Sequence, residues 1–373
     1  MKTSDKILLI TGDFPPVIGG ISTFFYELCK KSQNIIVLTK KNRDEAEKQF
    51  DSAQEFKILR IRIFHKSLQP FIFAINAFRI VKKEKIDTLI CGQFLIPGLS
   101  GYLIRILLKK PYYVHTYGPE FREHKLYTPL LKLILNSAAK VISISNFAKD
   151  RLLKQNIPHS KIEVLTPGVD IHRFNPHLNA EEIIQKHNLY DKKVLLTASR
   201  LDVNKGIDKM INLMPEILRK YPNAVYIIVG KGPEERYLKK LASKSSKENI
   251  IFVGEVSDKT LPLYYASCDV FILPTREVPS KGYIEGFGIV FLEASACGKP
   301  IVAGRAGGSS EAVTDKTTGF VVDSKNEKEI LSSVEKLLED KNLRDRMGSS
   351  GRMRVENEFN WDIKRKQFMN IIS

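Results

Sequence analysis

Eleven short apolar runs, each followed by a stretch with helical spacing, constrain this chain more than any other feature. In the first half they are KILLITG (6–12), NIIVLTK (34–40), DTLICG (87–92), PYYVHTYG (111–118) and KVISIS (140–145). In the second half they are KVLLTASRL (193–201), AVYIIVGKG (224–232), NIIFVGEV (249–256), DVFILPT (269–275), KPIVAG (299–304) and GFVVD (319–323). Runs that are apolar nearly throughout, instead of alternating, belong to parallel strands covered on both faces. The fold class is therefore α/β. Eleven strands exceed a single sheet of usual size, and the series breaks at VLTPGVDIHRFNPHLN (164–179), which has turn formers and little periodicity. Two doubly wound domains are expected, 1–168 and 169–357, facing a cleft with their strand carboxyl ends, where ligands bind in such folds. The last helix, about 358–373, is expected to pack back on the first domain with Trp361 as a packing anchor.

Composition supports this outline. The chain has 373 residues, enough for two ordinary cores, and 43% hydrophobic with 27% charged residues reads as a soluble globular protein. Four widely spaced cysteines without a C-x-x-C favour a reducing compartment, and a structural zinc is not expected. The amino terminus lacks the pattern of a secretion leader. No run reaches about 18 apolar residues. The nearest candidate, PFIFAINAFRIV (70–81), contains Asn76 and Arg79 and reads as an amphipathic helix covering a sheet. Residues 1–168 hold 27 Lys+Arg against 14 Asp+Glu, a balance of +13 within a total of +17. A basic first half beside a near-neutral second half points to an anionic partner. Aromatic–basic interleaving and DNA-reading spacings are absent, so an anionic membrane surface is favoured over nucleic acid. Arg105, Lys109, Lys110, Lys125 and Lys132 are the candidate contacts.

Three segments carry chemistry. GDFPPVIGGISTFFYEL (12–28) joins a strand to a helix through a loop in which Gly19 and Gly20 let a ligand approach the backbone, with a helix start favouring an anion. An ordinary βα turn is the alternative. TASRLDVNKGIDKMI (197–211) places Arg200 and Lys205 after the first strand of the second domain, where two cations suit a diphosphate. The alternative is a pair of solvated charges. YIEGFGIVFLEASACGKPIVAG (283–304) carries Glu285 and Glu293 around a run that looks buried. Gly286 and Gly288 leave a helix start bare for a phosphate, while the two carboxylates can each accept hydroxyl donors, as in sugar recognition. For Glu293 the alternative is an acid on a helix surface.

The E-x7-E pattern (Glu285 and Glu293), SRLDVNKG upstream, TPGVD (166–170), GDFPPVIGG near the start and AGRAGGSSEAV (303–313) resemble, in order and over almost the whole chain, the family 4 retaining glycosyltransferases of the GT-B fold. The pattern is most similar to bacterial α-mannosyltransferases, including phosphatidylinositol mannosyltransferases. The resemblance implies two Rossmann-like domains and transfer of a hexose, mannose first among the options, from a nucleotide diphosphate to a hydroxyl of a lipid-linked or glycan acceptor in envelope glycan or glycolipid synthesis. It implies that Arg200 and Lys205 bind the diphosphate, that Glu285 meets the donor sugar and that Glu293 holds the ribose. The same comparison implies that Gly19, Gly20, Gly286, Phe287, Gly288 and Ile289 line the donor site and that Gly254 to Val256 meets the base. His115 matches the family's active-site histidine, and Asn146 and Arg151 fall on the acceptor side. The donor is GDP-mannose or a UDP-sugar, and no cofactor is expected. With no D-x-D in the chain, no metal is expected either. A cytoplasmic enzyme, peripheral on the inner face of the cytoplasmic membrane, fits these features.

Two rivals share parts of this pattern. A nucleotide-sugar epimerase would have comparable doubly wound domains, but E-x7-E with SRLDVNKG speaks for transfer. A basic nucleic-acid-binding protein would leave Arg200, Lys205, Glu285 and Glu293 without a role.

Overall fold

The apolar runs become parallel strands in the computed structural model, which describes residues 5–373 apart from 18, 43, 64, 66, 67, 119–127 and 279–284. The chain divides into two units, Met1–Pro167 with Trp361–Ser373, and Gly168–Asn360.

Unit 1 is built on strands β1 (Ile7–Ile10), β2 (Ile35–Lys40), β3 (Lys57–Ile61), β4 (Thr88–Cys91), β5 (Tyr112–Thr116), β6 (Lys140–Ser143) and β7 (Ile162–Val164). All pair in parallel, in the order β3-β2-β1-β4-β5-β6-β7. The connecting helices are α1 (Gly20–Cys29), α2 (Asp44–Ser52), α3 (Gln69–Glu84), α4 (Ile96–Leu108), α5 (Thr128–Ser137) and α6 (Asn146–Lys154). Side chains from α3 to α6, among them Phe73, Ile104, Ile134 and Leu152, share one core with Leu8, Leu38, Leu89 and Val141 of the sheet. These four helices therefore cover one sheet face. The run at 70–81 is part of α3, with Phe73, Ala77 and Val81 buried at helical spacing.

Unit 2 carries strands β8 (Lys193–Ala198), β9 (Ala224–Val229), β10 (Ile250–Gly254), β11 (Val270–Leu273), β12 (Ile301–Gly304) and β13 (Gly319–Val322) in the parallel order β10-β9-β8-β11-β12-β13. Its helices are α7 (Glu181–Lys186), α8 (Ile207–Lys220), α9 (Glu235–Ser243), α10 (Leu261–Ser267), α11 (Ile289–Ala296), α12 (Ser309–Ala312), α13 (Glu327–Glu339) and α14 (Lys341–Arg354). A π-helical turn at Val355–Phe359 ends the unit. The chain then returns to unit 1 as α15 (Trp361–Ile372). There Trp361 is buried against Phe24, ring centroids 5.9 Å apart, and Arg365 Nη1 donates to the Glu27 carbonyl at 2.8 Å.

Two strands depart from the sequence reading: β3 and β7 add to the eleven expected. Both are sheet edges, and KILRI and IEV carry charges because an edge keeps contact with water. All four cysteines are buried and free of disulfides. Among the described residues no helix is long and apolar enough to cross a membrane.

Candidate active site

In unit 2 the strand order reverses between β8 and β11, and the loops leaving these two strands meet there. Open parallel sheets bind ligands at such a switch point, beyond the carboxyl ends of the strands. The β8 loop runs through a 3₁₀ turn, Val203–Lys205, and enters α8 at Gly206 with φ of 69°. A Cβ on Gly206 would lie 2.1 Å from the Pro274 carbonyl oxygen, so the crossing of the two loops requires glycine. Arg276, just past β11, ties the loops together. Its backbone N–H donates to the Asn204 carbonyl at 2.8 Å, its Nε to the Val203 carbonyl at 2.8 Å, and its Nη1 lies 2.9 Å from Asp208 Oδ2. This arginine escapes a sequence reading because its partners lie about seventy residues upstream, as the Asp208 contact at a separation of 68 shows.

The result of this crossing is a direct ion pair between Lys205 Nζ and Glu285 Oε2 at 2.5 Å, with both side chains mostly sheltered from water. A cation suited to phosphate and an acid suited to hydroxyls thus share one point. Arg200 does not join them: its side chain is 71% exposed and its Nε pairs with Asp202 Oδ2 at 2.9 Å. Beside the pair, Gly288 adopts φ of 90° and opens α11 without a side-chain cap, leaving its first N–H groups open to an acceptor. Ile289 is the first residue of that helix, and the Phe287 side chain is buried against Phe359, ring centroids 5.8 Å apart. The AGRAGGSS stretch closes on the acid from the other side. The Gly308 N–H donates to the Glu285 carbonyl at 2.9 Å, and a Cβ on Gly308 would come to 2.2 Å from the Gly286 oxygen. Residues 279–284, including Tyr283 and Ile284 of the quoted motif, lie outside the described residues.

Glu293 sits just over one turn into α11 and accepts a hydrogen bond from the buried Tyr265 hydroxyl at 2.7 Å. Burial raises the Glu293 carboxyl above its ordinary range, and the Tyr265 hydrogen bond and the Arg173 charge oppose that rise. The tyrosine occupies Oε2 and is itself packed edge-on against Phe174, centroids 5.6 Å apart. Tyr265 was not foreseeable from spacing, since α10 and α11 are separated by a strand. Gly254, at φ of 83°, closes β10 where the ladder with β9 shifts register, and its carbonyl accepts from Gly230 N–H at 2.7 Å. Val256 follows, partly buried. Among the described residues no group of three His, Cys, Asp or Glu side chains is placed to share a metal ion.

The remaining candidates lie in unit 1. Gly19 is in extended backbone, φ 165°, and a Cβ there would meet nothing within 4 Å. The fold itself therefore does not require glycine at that position. Gly20 follows as the first residue of α1, exposed. Asn146 is exposed at the start of α6, which Ser145 caps by accepting from Ala148 N–H at 3.1 Å, and Arg151 lies 5.8 Å over the Phe147 ring.

His115 is on β5, and its side chain is 0% exposed. The ring packs against Phe25 at 5.1 Å, Phe24 at 5.2 Å and Phe368 at 6.4 Å between centroids. Neither ring nitrogen has a partner among the described residues. Its imidazole is in the core of unit 1, and burial pushes its pKa down from 6.5 to about 3. The unfolded chain takes up a proton here below 6.5 whereas the folded chain does not. Stability should therefore fall as pH drops from 6.5 toward 3, by at most about 1.4 kcal/mol per pH unit from this group. Urea unfolding of the parent and of His115→Gln at about pH 7 and about pH 5 checks this: the variant should lose part of the slope. Equal slopes would show that the ring is solvated.

Comparison with known proteins agrees with this architecture. Residues 179–354 match the model described as "Glycosyl transferases group 1", and residues 18–173 match "Glycosyltransferase Family 4". The chain is 32% identical, over 98% of its length and 98% of the relative's, to the GDP-mannose-dependent alpha-(1-6)-phosphatidylinositol monomannoside mannosyltransferase of Mycolicibacterium smegmatis. It is 29% identical to the GDP-mannose-dependent monoacylated alpha-(1-6)-phosphatidylinositol monomannoside mannosyltransferase of Corynebacterium glutamicum, over 100% of this chain and 99% of the relative. Among solved structures, Anabaena HepE in complex with UDP and glucose aligns with a TM-score of 0.80 at 20% identity over 98% of each chain. Two parallel-sheet units with a charged pair at the β8/β11 switch point, and a full-length relative at 32% identity, lead to one conclusion: this chain belongs to the family 4 glycosyltransferases and is a glycosyltransferase of the GT-B fold.

Proposed function

We propose that this glycosyltransferase moves mannose from GDP-mannose to a hydroxyl of a lipid-linked acceptor, with the anomeric configuration retained, at the inner face of the cytoplasmic membrane. The observation that carries the donor half is the Lys205–Glu285 contact beside the bare start of α11. A nucleotide sugar has its phosphate and its sugar hydroxyls adjacent, and this point offers an ammonium and a carboxylate side by side. On binding, Lys205 turns to the diphosphate together with Arg200 and the N–H groups from Gly286 to Ile289. Glu285 is released to accept sugar hydroxyls. Negative charge grows on the leaving phosphate oxygen as the glycosidic bond breaks, and these fixed groups stabilise it where it develops. Glu293, with Oε2 held by Tyr265, has Oε1 left for the ribose. Gly254 to Val256 receives the base, and the Gly19–Gly20 loop, His115, Asn146 and Arg151 belong to the acceptor-bearing unit.

The choice of GDP-mannose and of a lipid acceptor follows the names of the relatives near 30% identity. The UDP and glucose in the Anabaena neighbour come from a protein at 20% identity and speak to the fold. A thermal-shift screen over GDP-mannose, UDP-glucose, UDP-N-acetylglucosamine and UDP-galactose tests the donor. A ligand at a hundredfold excess over its Kd stabilises by about 2.7 kcal/mol, which for a unit of this size raises Tm by roughly 5–10 °C. GDP-mannose should give that shift. A larger shift with a UDP-sugar would replace the donor, and no shift with any of them would remove the reading.

A further inference from the structure

Lys205 owes its place to a residue of the neighbouring strand's loop. It ends the 3₁₀ turn Val203–Lys205, which has no side-chain cap and closes with Lys205 N–H donating to the Asp202 carbonyl at 3.0 Å. So short a turn, with the poorer hydrogen-bond geometry of a 3₁₀ helix, does not by itself hold a side chain still. Arg276, leaving β11, supplies contacts on both sides of it. The two carbonyls that precede Lys205 both accept from Arg276: Asn204 from its backbone N–H at 2.8 Å, and Val203 from its Nε at 2.8 Å. Three residues after Lys205, Asp208 Oδ2 in the first turn of α8 lies 2.9 Å from Nη1 of the same guanidinium. The arginine is itself fixed at its root. Thr275, before it, donates from its N–H to the Leu273 carbonyl at 2.8 Å and from Oγ1 to the Gly304 carbonyl at 3.2 Å. The carbonyl of Pro274 is the atom against which Gly206 packs.

This contact differs from the exposed ion pairs of the chain. Lys110, one of the basic residues singled out from the sequence, shows the ordinary case: it lies 3.5 Å from Asp87, with side chains 34% and 46% exposed, and such pairs contribute little. Lys125, another of those residues, lies outside the described residues. Arg276 and Asp208 are only 21% and 18% exposed. One planar group there serves a carbonyl and a carboxylate in fixed directions, which the point charge of a lysine cannot do. The guanidinium also borders a cavity of about 220 Å³, together with Asp202, Asp208, Glu234 and Tyr237, which neither Lys205 nor Glu285 borders. Its route to the charged pair is therefore the backbone of the turn. Tyr237 is 53% exposed, so the cavity reaches solvent.

We infer that Arg276, with Asp208, is a positioning residue for the donor diphosphate: it holds the Val203–Lys205 turn so that the Lys205 ammonium stands beside the start of α11. This rests on the diphosphate role proposed above for Lys205. Calorimetric titration of the full chain with GDP, and with UDP in parallel, tests it, because stoichiometry reports the folded fraction and affinity reports the site. For the nucleotide that the parent binds, Lys205→Ala should lose about ten- to a hundredfold in affinity and Arg276→Ala about tenfold, both at the parent's stoichiometry. In the Lys205→Ala background, Arg276→Ala should cost less than about twofold, since the ammonium it positions is gone. Guanidinium chloride, well below the molar concentrations that unfold proteins, can enter the space left by Arg276→Ala. It should restore part of the lost affinity there and none in Lys205→Ala, and sodium chloride at the same concentration should restore neither. Should Arg276→Ala prove unstable, Arg276→Lys, which keeps a charge beside Asp208 but not the planar fork, carries the same comparison. Arg276 variants that bind the nucleotide like the parent, while Lys205→Ala is weakened, overturn the inference and leave the reading of Lys205 standing. A loss at Arg276 that is equally large in the Lys205→Ala background, or that falls on stoichiometry alone, also overturns it and leaves a structural staple. Lys205→Ala that binds like the parent removes the diphosphate role of Lys205 and this inference with it. A parent that binds neither GDP nor UDP removes both together with the proposed donor.

Discussion

Replacing Lys205 with alanine is expected to lower the transfer rate by about 100- to 1,000-fold, the usual cost of losing one group that meets developing charge. The ammonium is the inner cation of the β8 loop, sheltered and fixed against Glu285 at 2.5 Å, whereas Arg200 is exposed and paired with its neighbour Asp202. The effect should therefore be much larger for Lys205→Ala than for Arg200→Ala. Loss of the ammonium also leaves Glu285 without its partner in a partly buried place, so Lys205→Ala with Glu285→Gln should cost less than the sum of the two single changes. Lys205→Arg should restore little, since a planar fork does not fit where a point charge sits. Steady-state rates with the donor identified by thermal shift provide the measurement. A Lys205→Ala enzyme within tenfold of the parent would remove this residue from the diphosphate site.

Gly206→Ala should destabilise unit 2 by about 3–5 kcal/mol, at the upper end of what single substitutions do. Two costs add. A non-glycine residue at φ of 69° pays roughly 1–2 kcal/mol for the left-handed conformation. The new Cβ would also stand 2.1 Å from the Pro274 carbonyl oxygen, a backbone atom held by β11, so one loop must move. At roughly 2–4 °C per kcal/mol for a unit of this size the melting point should fall by about 6–20 °C. The movement would also carry Lys205, the preceding residue, away from Glu285, so transfer should fail even below the melting point. Gly19→Ala is the control: with extended backbone and nothing within 4 Å it should melt like the parent. Equal melting points for Gly206→Ala and the parent would mean that the two loops do not cross as described.

The central strands could be read from sequence because a parallel strand covered on both faces must be apolar along its length, as ILLI, IIVLTK and AVYIIV are. The same reasoning fails at the edges. KILRI and IEV are genuine strands whose charged residues keep contact with water, so their pattern resembles that of a loop. Glycines mark several element ends in the structure. Gly206 and Gly288 open helices at positive φ, and Gly298, at φ of 69°, follows the end of α11.

Sequence alone thus determined the alternation of strands and helices and the residue types that could hold a nucleotide sugar, because burial and capping act over a few neighbouring positions. Tertiary structure alone decided which of those residues meet. Lys205 and Glu285 are 80 residues apart and touch because β8 and β11 are neighbours in the sheet. Strand order likewise brings Tyr265 to Glu293, Arg276 to Asp208, and Asp13, Lys40 and Gln93 around one cavity. It also carries His115, on a strand expected to end at a ligand, into a ring of phenylalanines from α1 and α15. Spacing along a chain cannot specify such contacts, since they depend on where distant segments are returned by the order of the strands between them.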